Sequence, residues 1–257
     1  PIRLSRPVFR QAKSSSRQWS RLRSALHQVA KLRETETDLA ASWRSSRAGA
    51  RAGHGFRFQD SVGALLALRC WDGMIAAGSV TPESLDDFAL EGGSPTTWVQ
   101  VKSKIGPYSS FRPKEIADVI IGGPGADSDS RWIILDRPFS GHDSSSTQPG
   151  ALSTKLQHEL AETASSEMRP ALVERLGRTR LLILPNPIDV AIDELCVAKD
   201  INRLSASVCI TELVNRVGQA ASANARLAFE TRSSLTLASV QNCLDALLAI
   251  MDADTVD

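Results

Sequence analysis

Residues Glu83 to Lys104 read ESLDDFALEGGSPTTWVQVKSK. Two apolar, β-prone runs, DDFALEG and TTWVQVKSK, flank Gly92, Gly93, Ser94 and Pro95, residue types suited to turns, so the pattern predicts two neighbouring strands joined as a hairpin. SVTPE, immediately upstream, adds a third short extended segment. Side chains alternate along a strand, so Val99 and Val101 share one face and read as core, while Gln100 and Lys102 share the other. Asp86 and Asp87 are consecutive, and on an extended chain their carboxylates leave on opposite faces. Asp87 precedes Phe88 and is expected to begin its strand and to face Gln100 and Lys102. A Lys on so apolar a strand calls for a carboxylate partner, because an unpaired buried ammonium is costly.

Working outward, FRFQDSVGALLALRCWDGMIAAG precedes the strands, with Phe58, Val62, Leu65, Leu66 and Leu68 near helical spacing and Gly73 and Gly78 at its end. Downstream, PKEIADVIIGG after Pro113 predicts a helix, and RWIILDRP a strongly apolar strand at Trp132 to Leu135. Ser140 to Gly150 reads as a polar loop. From Ala151 the pattern is mostly helical, interrupted by an apolar strand at Arg180 to Pro185 and ending in two helices, SVCITELVNRVGQAASANARLAF and LASVQNCLDALLAIMDA. A helix, three clustered strands, a helix and a further strand make an α/β domain with a helical C-terminal half, whose default role is packing around the sheet.

The formal net charge of +1 over 257 residues hides an uneven distribution. Residues 1–51 hold 12 Lys+Arg against 3 Asp+Glu, and the remaining chain holds 18 against 26. The expected organisation is a basic N-terminal arm, 1–51, followed by one domain over 52–257, with a motif core at 53–136 and a mostly helical extension at 151–257. The arm is either a solvated tail or helix, or a contact for a phosphate backbone, which such a charge excess attracts in a salt-dependent way. The apolar runs are core-sized and none reaches the roughly 18–20 residues of a membrane span. The four cysteines are widely spaced without a CxxC, which argues against a zinc site or a disulfide framework and is consistent with a reducing cytoplasm. No P-loop, dinucleotide-binding glycine motif or Ser-His-Asp order is present. The chain opens on Pro and ends without a clear stop, as a piece of a longer protein would.

An Asp, a Gln and a Lys brought together suit phosphodiester hydrolysis. Asp87, the Gln100 side-chain carbonyl and the Val101 backbone carbonyl offer hard oxygen donors to Mg2+ or Mn2+, with Glu83 as a further candidate ligand or an exposed strand acid. The metal activates a water and neutralises phosphate charge. Lys102 then positions that water or stabilises the charged transition state. Gln59, on the first helix, either hydrogen-bonds within the fold or points into the site to orient a ligand or water. Arg57, His54 and Lys104 are candidate contacts to nucleic acid, with ordinary surface roles as the alternative.

An Asp at the start of one strand followed by (D/E)xK on the next resembles the PD-(D/E)XK nuclease superfamily. The form Gln100-Val101-Lys102 is similar to its Mrr-like branch, where Gln often replaces the acid, and GHGFRFQDSVGALL, Gly53 to Leu66, resembles the first helix of Mrr-like enzymes. Together with Glu83, Asp86 and Asp87, these motifs look closest to the double-stranded DNA endonuclease domains of bacterial anti-phage effectors fused to SAVED sensors or STAND-type NTPases. The likeness covers about Gly53 to Leu135; it departs at Gln59, where the pattern has an acid and Asp60 follows, and at the uncharged Gln100. It implies a restriction-endonuclease-like core, with a central mixed sheet flanked by helices. It further implies Mg2+-dependent endodeoxyribonuclease activity on double-stranded DNA, a cytoplasmic antiviral defence role, a regulatory or sensor domain beyond the C-terminus, and a homo-oligomer as the active form. The alternative is a non-catalytic nucleic-acid-binding or assembly module that retains the fold.

Overall fold

The structure is a computed structural model that describes residues 55–83, 86–92, 95–104, 110–123, 129–139 and 148–253. The chain divides into Pro1–Ala52 and Gly53–Asp257, and all described residues belong to the second unit. The basic arm, His54 and most of the polar loop after Phe139 therefore lie outside the described residues.

Seven helices and a seven-stranded open sheet make up the described part, an α/β architecture. Helix α1 (55–71) leads into β1 (Ser79–Pro82), β2 (Phe88–Glu91) and β3 (Thr97–Lys102). Then follow α2 (Pro113–Gly122), β4 (Ser130–Leu135), β5 (Gly150–Ala151), α3 (Thr154–Thr163) and α4 (Arg169–Leu176). β6 (Thr179–Ile183), α5 (Pro187–Lys199), α6 (Arg203–Asn224), β7 (Leu235–Thr236) and α7 (Leu237–Ala253) complete the unit. The sheet order is β5-β6-β4-β3-β2-β1-β7. β1, β2 and β3 run as an antiparallel meander, whereas β3, β4 and β6 are parallel, so the sheet is mixed.

The expected helix, three strands, helix and strand all form. β5 and β7 were not anticipated: two residues each is too short for a periodic signal, and both are defined only by pairing along a neighbour's edge. The long C-terminal helix ends at Asn224, short of the Phe229 expected from its apolar pattern.

Alternation along the strands sorts their side chains into two cores. Val80, Phe88, Val99, Val101 and Ile134 join α1, α5, α6 and α7 on one face. Ile133 and Leu135 join α2, α3 and α4 on the other. The helical C-terminal half thus clads the sheet. Gly63 shows how close α1 lies: a Cβ there would stand 2.7 Å from the Phe88 ring and from Val217 of α6. α1 stops where Gly73 takes a left-handed φ of 76°, which a glycine adopts without steric cost. α2 starts with Pro113 in its first turn and Glu115 accepting a hydrogen bond from the Arg112 amide.

Candidate active site

The hairpin brings three of the expected residues together. β2 begins at Phe88, opposite Val99, so the β2 ladder ends before it reaches Val101. The Val101 amide is left facing that open side, and Asp87 fills it: Oδ2 accepts a 2.6 Å hydrogen bond from Val101 N. Amide and carbonyl of one extended residue point to the same side, so the Val101 carbonyl also faces this side of β3. The Gln100 side-chain amide donates to the same Asp87 oxygen.

Lys102 shares the Gln100 face, in register with Leu135 of β4 as Gln100 is with Ile133. Its ammonium makes no close ion pair with a described residue, yet its charge lowers the pKa of both Asp86 and Asp87. Burial dominates at Asp87 and pushes its carboxyl upward, against the Val101 hydrogen bond, the Lys102 charge and the Gln100 hydrogen bond, which pull it down. The carboxylate is thus incompletely compensated by its protein partners.

The two consecutive acids do not separate by strand alternation, as the sequence suggests, because both precede β2 and lie in its entry turn. They separate by partner instead. Asp86 pairs with Arg131 of β4 at 3.6 Å, with both side chains almost fully buried. Asp87 turns to β3.

Glu83 and Gln59 come from the other direction. Gln59, near the start of α1, donates a 2.9 Å hydrogen bond to Glu83 Oε1. Glu83 sits in the β1–β2 turn at a left-handed φ of 48°, uncommon for a residue other than glycine, and its amide bonds the Asp87 carbonyl at 2.9 Å. Gln59 therefore reaches the site through Glu83 rather than by touching Asp87 or Gln100. Asp60, next to Gln59, has its carboxyl pushed up to about 6 by burial and by the Glu83 charge.

The candidate nucleic-acid contacts fare unevenly. Arg57 is exposed on the first turn of α1, at the rim of a cleft of about 510 Å³ beyond the ends of β4 and β6. Lys104 does not continue the Gln100–Lys102 face. β3 ends at Lys102, and beyond it the Lys104 amide bonds Asp136 while its ammonium bonds Glu115 at 2.7 Å and the Ser110 carbonyl at 2.7 Å. Its charge is paired at the start of α2.

The donor chemistry around Asp87 suits a hard cation. The oxygen donors in this neighbourhood are the Asp87 carboxylate, the Gln100 side-chain and Val101 backbone carbonyls and the Glu83 carboxylate, while Asp87 Oδ2 itself faces the Gln100 and Val101 N–H groups. Among the described residues no three His, Cys, Asp or Glu side chains form a group that could hold a metal ion. A cation here would thus rest on neutral carbonyls and water beside Asp87. Mg2+, which keeps several waters, tolerates such a set, whereas a structural zinc does not.

Sequence reasoning did not assign roles to Arg131, Asn224 or Asp60. Asn224, buried at the end of α6, donates to the Pro82 carbonyl at 2.8 Å and so pins the strand end that carries Glu83. The Arg at the head of the apolar RWIIL run was the one visible sign: a cation opening a buried strand needs a counter-charge.

No family model matches the chain, and neither a curated protein nor a solved structure gives a significant match. Within the second unit the chain is an α/β protein with a mixed open sheet, and no helix among the described residues is long and apolar enough to cross a membrane.

Proposed function

We propose that this protein is a metal-dependent endonuclease domain that hydrolyses DNA phosphodiester bonds, with a restriction-endonuclease-like core of the PD-(D/E)XK class in its Gln-containing, Mrr-like form. The observation that carries the reading is the meeting of Asp87 with both Gln100 and Val101 at the open end of the β2–β3 hairpin, with Lys102 on the Gln100 face. An Asp entering one strand and a Gln-x-Lys on its neighbour are what the sequence resemblance requires.

The residues divide the work by chemistry. Asp87 is a half-buried carboxylate raised by desolvation, so a cation would take the place a proton otherwise favours. Gln100 and Val101 offer neutral carbonyl oxygens beside it. What Mg2+ or Mn2+ would supply there is a water of lowered pKa and neutralisation of phosphate charge. Lys102 makes no close ion pair with a described residue and lies near the carboxylates, suited to orient a water or to meet the charge that grows on the phosphate. Gln59 holds the Glu83 side chain at the turn before β2. The partner is double-stranded DNA. An anti-phage effector context, with a regulatory or sensor domain, activation as a homo-oligomer and a cytoplasmic location, follows from the same resemblance and belongs to the proposal.

The test is Mg2+-dependent plasmid cleavage by wild type, Asp87→Ala and Lys102→Ala, assayed under oligomerising conditions. Metal-dependent cleavage by wild type, lost in both variants, supports the reading. Absence of cleavage in wild type, or its persistence in both variants, overturns it in favour of a non-catalytic nucleic-acid-binding or assembly module.

A further inference from the structure

We propose that Arg131 is a positioning residue for Asp87, acting through Asp86. Its importance for catalysis rests on the nuclease reading, but its geometry does not.

Asp86 and Asp87 are bonded neighbours in one turn, closed by the hydrogen bond from the Glu83 amide to the Asp87 carbonyl. Asp86 Oδ2 is buried and accepts no hydrogen bond, and the Asp86 side chain is only 4% exposed. A carboxylate in that position needs a counter-charge, and the Arg131 guanidinium stands 3.6 Å away, itself 7% exposed.

Arg131 is in turn fixed from behind. It lies on β4 in register with Trp98 of β3, and its Nη1 donates to the Val119 carbonyl near the end of α2. Gly123 leaves the room it needs, since a Cβ there would stand 1.3 Å from Nη1. Arg175 holds the same helix end, donating to the Ile120, Ile121 and Gly123 carbonyls. The guanidinium thus has a rigid seat, and through Asp86 it ties the entry turn of β2 to β4 and α2. With one carboxylate anchored there, the turn cannot rotate freely, and the adjacent Asp87 is kept at the Val101 amide.

The Val101 amide is the natural reporter. A backbone N–H bonded to a carboxylate is shifted downfield and protected from exchange, and both signatures vanish when the carboxylate leaves. In two-dimensional 1H–15N spectra of the whole chain, Arg131→Met is expected to move the Val101 resonance upfield and cut its protection about tenfold or more. Amides of β6 should stay native, and Arg131→Lys should restore part of the shift. In metal-dependent cleavage, kcat should fall about 10- to 100-fold, the scale expected of a displaced catalytic group. KM should stay within about twofold. Asp86→Asn, which removes the charge and keeps the shape, should move the Val101 resonance in the same way and serves if Arg131→Met does not fold. A folded Arg131→Met or Asp86→Asn protein with wild-type Val101 shift and protection overturns the proposal. Wild type without cleavage removes the nuclease reading alone, because the amide readout still decides whether Arg131 positions Asp87.

Discussion

Asp87 Oδ2 accepts the Val101 amide at 2.6 Å, so a side chain completes the edge of a strand where the neighbouring strand has run out. The Gln100 amide converges on the same oxygen. This single atom binds the turn before β2 to the end of β3, and its energetics can be separated from its chemistry by substitution.

On the proposed nuclease reading Asp87→Asn abolishes metal-dependent cleavage, and independently of it the substitution is expected to make the fold more stable. The Asn carbonyl can accept both hydrogen bonds that converge on Oδ2. Burial raises the Asp87 carboxyl in the folded protein, so its ionisation costs stability as pH rises through the folded value, and Asn removes that cost. A rise in Tm at neutral pH should appear in thermal unfolding. A fall in Tm would mean that the carboxylate charge holds the hairpin together rather than straining it.

The Asp60 carboxyl is pushed up to about 6 from 3.8 by burial and by Glu83. The folded chain then binds a proton that the unfolded chain releases, so the stability this group contributes is complete below pH 3.8 and is lost as pH rises through 6. Asp60→Asn should therefore raise Tm more at pH 7 than at pH 4, with the difference closing across that window. Urea midpoints at several pH values measure it, and an equal effect at both ends would contradict the shift.

Arg69 of α1, 2% exposed, holds Glu194 of α5 through Nε and Nη2 at 2.7–3.2 Å. Removing the carboxylate leaves a buried cation, whereas replacing both residues removes the problem. Glu194→Gln should cost roughly 3 kcal/mol, at the low end for a broken buried pair because Glu194 is partly exposed, and Arg69→Met with Glu194→Leu should cost much less. Chemical denaturation of the three proteins decides it; equal losses would show that packing of the arginine stem, not charge, carries the contact.

The α/β class and the strands of the hairpin were legible because the apolar run FALE bounded by turn residues, the alternation in TWVQVK and the helical spacing in the first helix are local signals. So was the sharing of a face by Gln100 and Lys102, since a period of two follows from backbone geometry alone. The separation of Asp86 from Asp87 was expected for the wrong reason. Alternation holds only inside a strand, and the strand starts one residue later than its composition suggests, because pairing with Val99, not propensity, sets its first residue.

What the sequence by itself determined is therefore periodic: which segments extend or coil, which faces are apolar, and that Gln100 and Lys102 share one face of their strand. Tertiary structure alone decided the pairings between elements far apart in the chain. It set Arg131 against Asp86, Gln59 against Glu83, Asn224 against Pro82, and turned Lys104 away to Glu115. The physical reason is that a charge or amide carries no periodic signature. It takes whichever partner packing brings within a few ångströms, and that choice is made only when the sheet and its two helical layers close.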